Sequence, residues 1–362
     1  MEGPGFSKDS NRGPPSFSLD FPGEKRNRSI VNDALERSLA ILAWMVLPVV
    51  AGFVLWRLWL SRLPDGHALA SRVARTSSQA SIIALIPPMA MLVFWNASLP
   101  AGPSAALPFL GLTIHLLGGA AGWLFARSSG FDRPVQGACF LGGASSNVLT
   151  FGGIVSVLLL STPQDPHGEQ ALGAMQLYRV LEAPFYYLVA WPVAAILSST
   201  APQAASWGAT FRRSFRPVTL LPLAGMGAGV VLNLAKVHRP EALDGVSSWF
   251  VRGNVLLLGV TVGLTLRRAA VGRQLPLCLG ISAIKFALLP CAAGGLLWVL
   301  GFRGLHLQTA LVCASMPVAF MAVVGANLVG LDEEILGSLW LFTTAAMVVI
   351  VPLLAFVVPR LA

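Results

Sequence analysis

Apolar residues run through this chain in stretches long enough to cross a bilayer, and polar residues gather between them. A helix needs about 20 apolar residues to span the hydrocarbon core. Ten such stretches can be drawn. They are roughly 39–60, 78–97, 105–126, 137–160 and 175–198, then 217–236, 248–267, 277–300, 308–329 and 335–358. The main break is the linker Ser199 to Arg216, which contains Pro202, Arg212, Arg213 and Arg216. Ahead of the first stretch, residues 1–37 are polar and rich in Gly, Pro and Ser, and do not read as a cleavable signal peptide. The pattern predicts an all-α polytopic membrane protein. It has a disordered tail (1–37), a first five-helix repeat (38–198), a cytoplasmic linker (199–216) and a second five-helix repeat (217–362).

Five spans per half is an odd number, so the halves enter the membrane in opposite senses. That is the inverted-repeat plan of many secondary transporters. Leu47-Pro48 in span 1 echoes Leu221-Pro222 in span 6, and Pro192 in span 5 echoes Pro352 in span 10. Loop cations set the orientation. With the N-terminus outside, twelve arginines fall in inner loops: Arg57, Arg62, Arg72, Arg75, Arg127, Arg133, Arg212, Arg213, Arg216, Arg267, Arg268 and Arg273. Only Lys236, Arg239, Arg303 and Arg360 fall outside. The positive-inside rule therefore places both termini outside, in a plasma (inner) membrane.

Composition narrows the function classes. The chain has 362 residues, 55% hydrophobic and 11% charged, where a soluble domain carries about 25% charged residues. This excludes a cytosolic enzyme, a secreted disulfide scaffold and a disordered regulator. The net charge of +9 is loop charge and not a nucleic-acid surface, because no basic stripe with interleaved aromatics accompanies it. Cys139, Cys278, Cys291 and Cys313 lie in or beside apolar runs without ligand spacing, so they are expected as small core residues. No HExxH, G-x-S-x-G or P-loop motif is present, which argues against an intramembrane enzyme. No metal or cofactor is expected. A receptor would need a soluble docking domain, and the tail is short for one.

Two spans are rich in small and polar residues at mid-membrane depth, and they are the fourth of each half. The first contains Gly142-Gly143-Ala144-Ser145-Ser146-Asn147-Val148-Leu149-Thr150-Phe151-Gly152-Gly153. The second contains Ala314-Ser315-Met316-Pro317, and Gly325-Ala326-Asn327 follows. If both unwind and cross, half-helix N-termini point at one midplane spot, where their positive dipole ends favour an anion. The same residues also suit plain close packing with interhelical hydrogen bonds. Substrate-binding candidates are Asn147, Ser146, Thr150, Gly152, Gly153, Ser315, Met316 and Pro317, with Lys285 in span 8. Charges inside a membrane are expensive and mark a pathway or a partner. Glu182 and Arg179 share a helix face in span 5, and Arg252 and His115 complete the coupling or pathway candidates. Snorkelling, a structural ion pair and a packed histidine are the bland alternatives.

These residues also carry a resemblance. "ASMPVAFMAVVGANLVGLDEEILGSL" (Ala314 to Leu339) is similar to the Met-Pro-x-Ala segment, acidic turn and last helix of the auxin efflux carrier family. So are the Pro217 to Gly229 opening, "RPEALDG" (Arg239 to Gly245), "LLLGVTVGLTL" (Leu256 to Leu266) and "IKFALLP" (Ile284 to Pro290). "SNVLTFGGIV" (Ser146 to Val155) sits at that family's first crossover, although the family commonly has a proline near Ile154. "GGASSNVLT" (Gly142 to Thr150) also resembles the bile acid/sodium symporter family.

The resemblance covers about residues 38–358. It implies ten transmembrane helices with crossing broken helices 4 and 9, a scaffold domain, a transport domain and elevator-like alternating access. It also implies a small carboxylate-bearing organic anion as substrate, with Asn147 taking part in binding it. A sodium-coupled importer is the alternative. Ser145, Ser146, Thr150 and Glu182 could serve either proton or sodium coupling, so the coupling ion, the substrate, the flux direction and the oligomeric state, a homodimer included, stay open.

Overall fold

The computed structural model describes residues 46–95, 105–160, 169–198, 217–240, 242–265, 272 and 274–361. The tail 1–37 and the linker 199–216 lie outside them. Every regular element among the described residues is a helix, with no strand among them. The helices are α1 (46–58), α2 (66–95), α3 (Leu107–Ser128), α4 (Arg133–Ala144), α5 (148–160), α6 (169–198), α7 (Pro217–Leu234), α8 (Ala242–Thr265), α9 (Leu275–Val299), α10 (Leu305–Ala314), α11 (Phe320–Val329) and α12 (Glu333–Val357). Four stretches are long and apolar enough to cross a membrane: Leu107–Ser128, Gly173–Ser198, Leu275–Val299 and Glu333–Leu361. Large apolar side chains point outward from them and their neighbours, such as Val348 (80% exposed) and Phe109 (67%). Outward apolar surface of this kind suits lipid.

Two boundaries differ from the sequence pattern. Helix α2 begins at Gly66, twelve residues before the apolar run at 78, so Arg72 and Arg75 are helical and not in a loop. The cause is local amphipathicity: Ala70 is buried in a small cluster with Trp56, Leu60 and Leu264, and Val73 packs on it. The charged residues take the other face. Helix α8 starts at Ala242, inside the "RPEALDG" segment, two residues after Pro240, whose carbonyl accepts from Leu243 N–H at 2.9 Å. Cys291 is a further correction. Cys139, Cys278 and Cys313 are buried as expected, but Cys291 is exposed on α9.

Three helices share a device at proline. Ile86, Trp191 and Leu289 each donate their N–H five residues back, to Ser81, Tyr186 and Ile284. Each immediately precedes a proline: Pro87, Pro192 and Pro290. Proline lacks an N–H, and its ring clashes with the carbonyl four residues earlier. Widening the preceding turn relieves the clash while the helix continues.

The helices pack in two groups. In one, α2 packs against α7 and α8, and α1 meets α8 where Gly52 approaches Gly263. Asn233 of α7 donates to the carbonyls of Phe94 and Trp95 at the end of α2. In the other, α3 packs on α4 and α6, α6 on α4 and α10, α9 on α10, and α12 on α4 and α11. The groups meet where α11 contacts α2 and α8. Glycine lets α3 and α4 touch: a Cβ on Gly143 would lie 2.1 Å from the carbonyl oxygen of Gly118. That contact sits one residue from the end of α4, where the site begins.

Candidate functional site

Helix α4 stops at Ala144, and residues 145–147 are non-helical before α5 begins. Helix α10 stops at Ala314, and residues 316–319 are non-helical before α11 begins. The two interruptions are bonded to each other. Asn147 N–H donates to the carbonyl of Pro317 at 2.8 Å, and Ala319 N–H reaches Ser145 Oγ at 3.4 Å. A Cβ on Gly152 would lie 3.4 Å from Met316 Cγ, so the start of α5 also rests against the second interruption.

A helix end leaves four carbonyls without intrahelical partners, and a buried one needs a donor. The end of α4 takes its donors from Ser145 beside it and from two other helices. Leu141 O accepts from Ser145 N–H at 3.0 Å, and Gly142 O from Ser145 Oγ at 3.5 Å. Gly143 O accepts from Lys285 Nζ at 3.4 Å. Ala144 O lies 2.7 Å from His115 Nδ1, and a carbonyl can only accept, so that nitrogen carries the proton. Lys285 Nζ also donates to Ser145 O and to Ser146 Oγ. The donors past the break are held in the same way: Ser146 N–H donates to Tyr186 Oη at 3.0 Å.

The second interruption closes mostly on itself. Ser315 N–H returns to Leu311 O and Val312 O at 3.1 Å, Ser315 Oγ to Leu311 O at 2.7 Å, and Met316 N–H to Cys313 O at 3.3 Å. Pro317 has no N–H to satisfy. Val318 N–H donates to Thr343 Oγ1 of α12 at 3.1 Å. The first interruption contains no proline, and foreign side chains do there what Pro317 does in the second.

Charge is concentrated on the first interruption. Tyr186 Oη donates to Glu182 Oε1 at 3.1 Å, and Arg179 Nε pairs with Glu182 Oε2 at 3.0 Å. One line of contacts thus runs from Ser146 through Tyr186 and Glu182 to Arg179. His115 stacks on Phe185 and meets Tyr186 edge-on. Lys285 is fully buried, as are Ser145, Ser146 and Met316 to within 2%. Four buried side-chain nitrogens have no partner among the described residues, and two of them, Asn147 Nδ2 and His115 Nε2, stand at the first interruption. Asn147 is 6% exposed. An unpaired amide donor in such a place is costly unless something binds it.

The structure therefore brings Asn147, Ser146, Gly152, Gly153, Ser315, Met316, Pro317, Lys285 and His115 to the two joined interruptions, with Glu182 and Arg179 linked to them through Tyr186. Ser315 spends its hydroxyl on its own helix. The side chains of Thr150 and Arg252 lie outside the described residues; Arg252 belongs to α8, in the other packing group. Sequence reasoning missed Tyr186 and Thr343. A signal existed for the first: all three tyrosines of the chain, Tyr178, Tyr186 and Tyr187, lie in α6, and Tyr186 follows Glu182 by one helical turn. Among the described residues no cluster of His, Cys, Asp and Glu could hold a metal.

A known protein family resembles the second half. Residues 249–355 match the family described as "Membrane transport protein", which is the family of the auxin efflux carriers. A protein of Methanothermobacter thermautotrophicus named "Uncharacterized transporter" is 30% identical over 139 residues. That match covers 38% of this chain and 45% of the relative, so the chain spans less than half the length of the relative it matches.

Proposed function

We propose, on the premise that residues 249–355 carry the membrane transport protein pattern, that this integral membrane protein is a secondary transporter of a small organic anion, a carboxylate. The two interrupted helices are the crossing broken helices 4 and 9 of a ten-helix inverted repeat. The anion binds where they meet. One observation carries the reading: Asn147 presents a buried, unpartnered Nδ2 at a junction joined by its own backbone bond to Pro317. Half-helices beginning at that junction, α5 and α11, direct N–H groups and positive dipole ends toward it. The surrounding cations, Lys285 and Arg179, bias the local field the same way, with Glu182 as the single acid among these groups.

The two packing groups support an elevator-like movement. The group of α1, α2, α7 and α8 contains neither interruption, which suits a scaffold. The other group holds both interruptions and every described side chain of the site, which suits the moving body. Both termini and the α9–α10 turn face outside in this arrangement, and the linker 199–216 faces the cytoplasm. The test is uptake or efflux of a panel of labelled organic acids in proteoliposomes, by wild type and Asn147→Ala. Anion flux by wild type that is lost in the variant, with the variant still inserted and folded, supports the reading. Equal flux in both removes Asn147 from the site, and flux of cationic or neutral solutes only overturns the anion.

A further inference from the structure

Lys285 was expected to face an anion, but its ammonium faces oxygen. An ammonium has three N–H donors. Those of Lys285 are taken by Gly143 O, Ser145 O and Ser146 Oγ, on a residue with no exposed surface. Two of these acceptors are carbonyls at the end of α4 and in the unwound residues after it. They belong to the negative end of the helix dipole. The third is a hydroxyl of the same unwound segment. Unwound carbonyls and half-helix C-termini are the groups that hold alkali cations inside transporters. Glu182 is joined to the same unwound segment through Tyr186, whose hydroxyl bonds both the carboxylate and Ser146 N–H.

We infer that the oxygens of Gly143, Ser145 and Ser146 form a monovalent-cation site that Lys285 fills from within the chain, so the protein carries its own cation there and takes no diffusible one. The positive charge then travels with the site through every cycle. This deepens the transport reading and rests on it for its meaning, but the site itself is tested by ion binding alone. The coupling question left open by the sequence is thereby answered at this position: a sodium ion and the Lys285 ammonium exclude each other.

The experiment uses full-length protein in nanodiscs. Binding of radioactive sodium and melting temperature are measured in sodium, potassium and choline chloride. Wild type should show no saturable sodium binding and the same melting temperature in all three salts. Lys285→Ala vacates the ammonium and leaves the oxygens, so it should gain saturable sodium binding and melt higher in sodium or potassium than in choline. Lys285→Met fills the space with an apolar chain and should gain neither. Ser146→Ala added to Lys285→Ala should weaken the gain. Saturable sodium binding by wild type at this site, abolished by Ser146→Ala, overturns the inference. So does Lys285→Ala that shows no cation response, or that cannot be purified even in sodium, since the cage then takes no ion. None of these readouts depends on the substrate, so failure of the cation site and failure of the transport reading are told apart.

Discussion

The amide of Asn147 and the carbonyl of Pro317 are joined at 2.8 Å, although they stand in different halves of the chain. Each lies in a segment that has left its helix. The bond fixes the two interruptions to one another, so a shift of either carries the other along. Asn147 contributes its backbone to this joint and leaves its side-chain Nδ2 unpaired beside it.

Pro317→Ala tests the joint. Alanine restores an N–H and frees Met316 from the restriction that a following proline imposes. Helix α10 can then grow past Ala314 at the expense of the extended residues 316–319. The expected result is a strong loss of anion flux with a modest loss of stability, about 0.4–1 kcal/mol from the more flexible unfolded chain. Flux and melting temperature on the same preparation decide it. Wild-type flux would mean that the interruption persists without its proline.

Tyr186→Phe removes the acceptor of a buried N–H. Ser146 N–H then has no partner, and Glu182 Oε1 loses a donor. Leaving a buried donor unsatisfied costs about 1–3 kcal/mol. The variant should therefore melt lower than wild type, although only one oxygen atom is lost. A water that takes the hydroxyl's place would recover most of the loss, and an unchanged melting temperature would show this.

Gly143→Ala and Gly173→Ala should have opposite signs. A methyl group on Gly143 would meet the Gly118 carbonyl oxygen at 2.1 Å, so α3 and α4 must part. Overpacking of this kind costs about 1–3 kcal/mol. Around Gly173, on α6, nothing lies within 4 Å of the added carbon. There, alanine should stabilise the protein by about 0.4–1 kcal/mol by restricting the unfolded chain. Melting curves of the pair give the order directly.

Orientation is tested by single cysteines in a background lacking Cys139, Cys278, Cys291 and Cys313. Ser129 and Arg303 are both exposed, one in the turn between α3 and α4 and one between α9 and α10. Ser129→Cys should react with a membrane-impermeant maleimide only after the cells are opened. Arg303→Cys should react in intact cells. The reverse pattern would invert the protein in its membrane.

Much of the helical layout was readable from the apolar runs, because a lipid-facing helix shows its length in uninterrupted hydrophobicity. The interruptions were readable too: Pro317 marks one, and the Gly-Ser-Asn content at 142–153 marks the other. The reading failed where a polar helix packs on a small apolar patch, as at Gly66–Ala80, because average polarity there resembles a loop. It also failed to give Lys285 its partners. A lysine among apolar residues advertises a charge, yet nothing in the sequence says that Gly143 and Ser145 offer carbonyls to it. Backbone acceptors have no letter in the sequence. Tyr186 was hidden for a related reason: its hydroxyl matters through an N–H that any residue at 146 would have supplied.

The closing of α4 by Lys285 also constrains the order of folding. The residues that bond there are separated by 139 to 142 positions along the chain. As the first half leaves the ribosome, α4 can form, but the carbonyls of Gly143 and Ser145 have to wait for α9. Contacts this distant form late, because a long loop must close before they give anything back. The first part of the chain is therefore a template with an unfinished edge, and the arrival of α9 completes it. A first half made without the second would keep that end of α4 frayed. Two halves made as separate chains would finish it only on meeting.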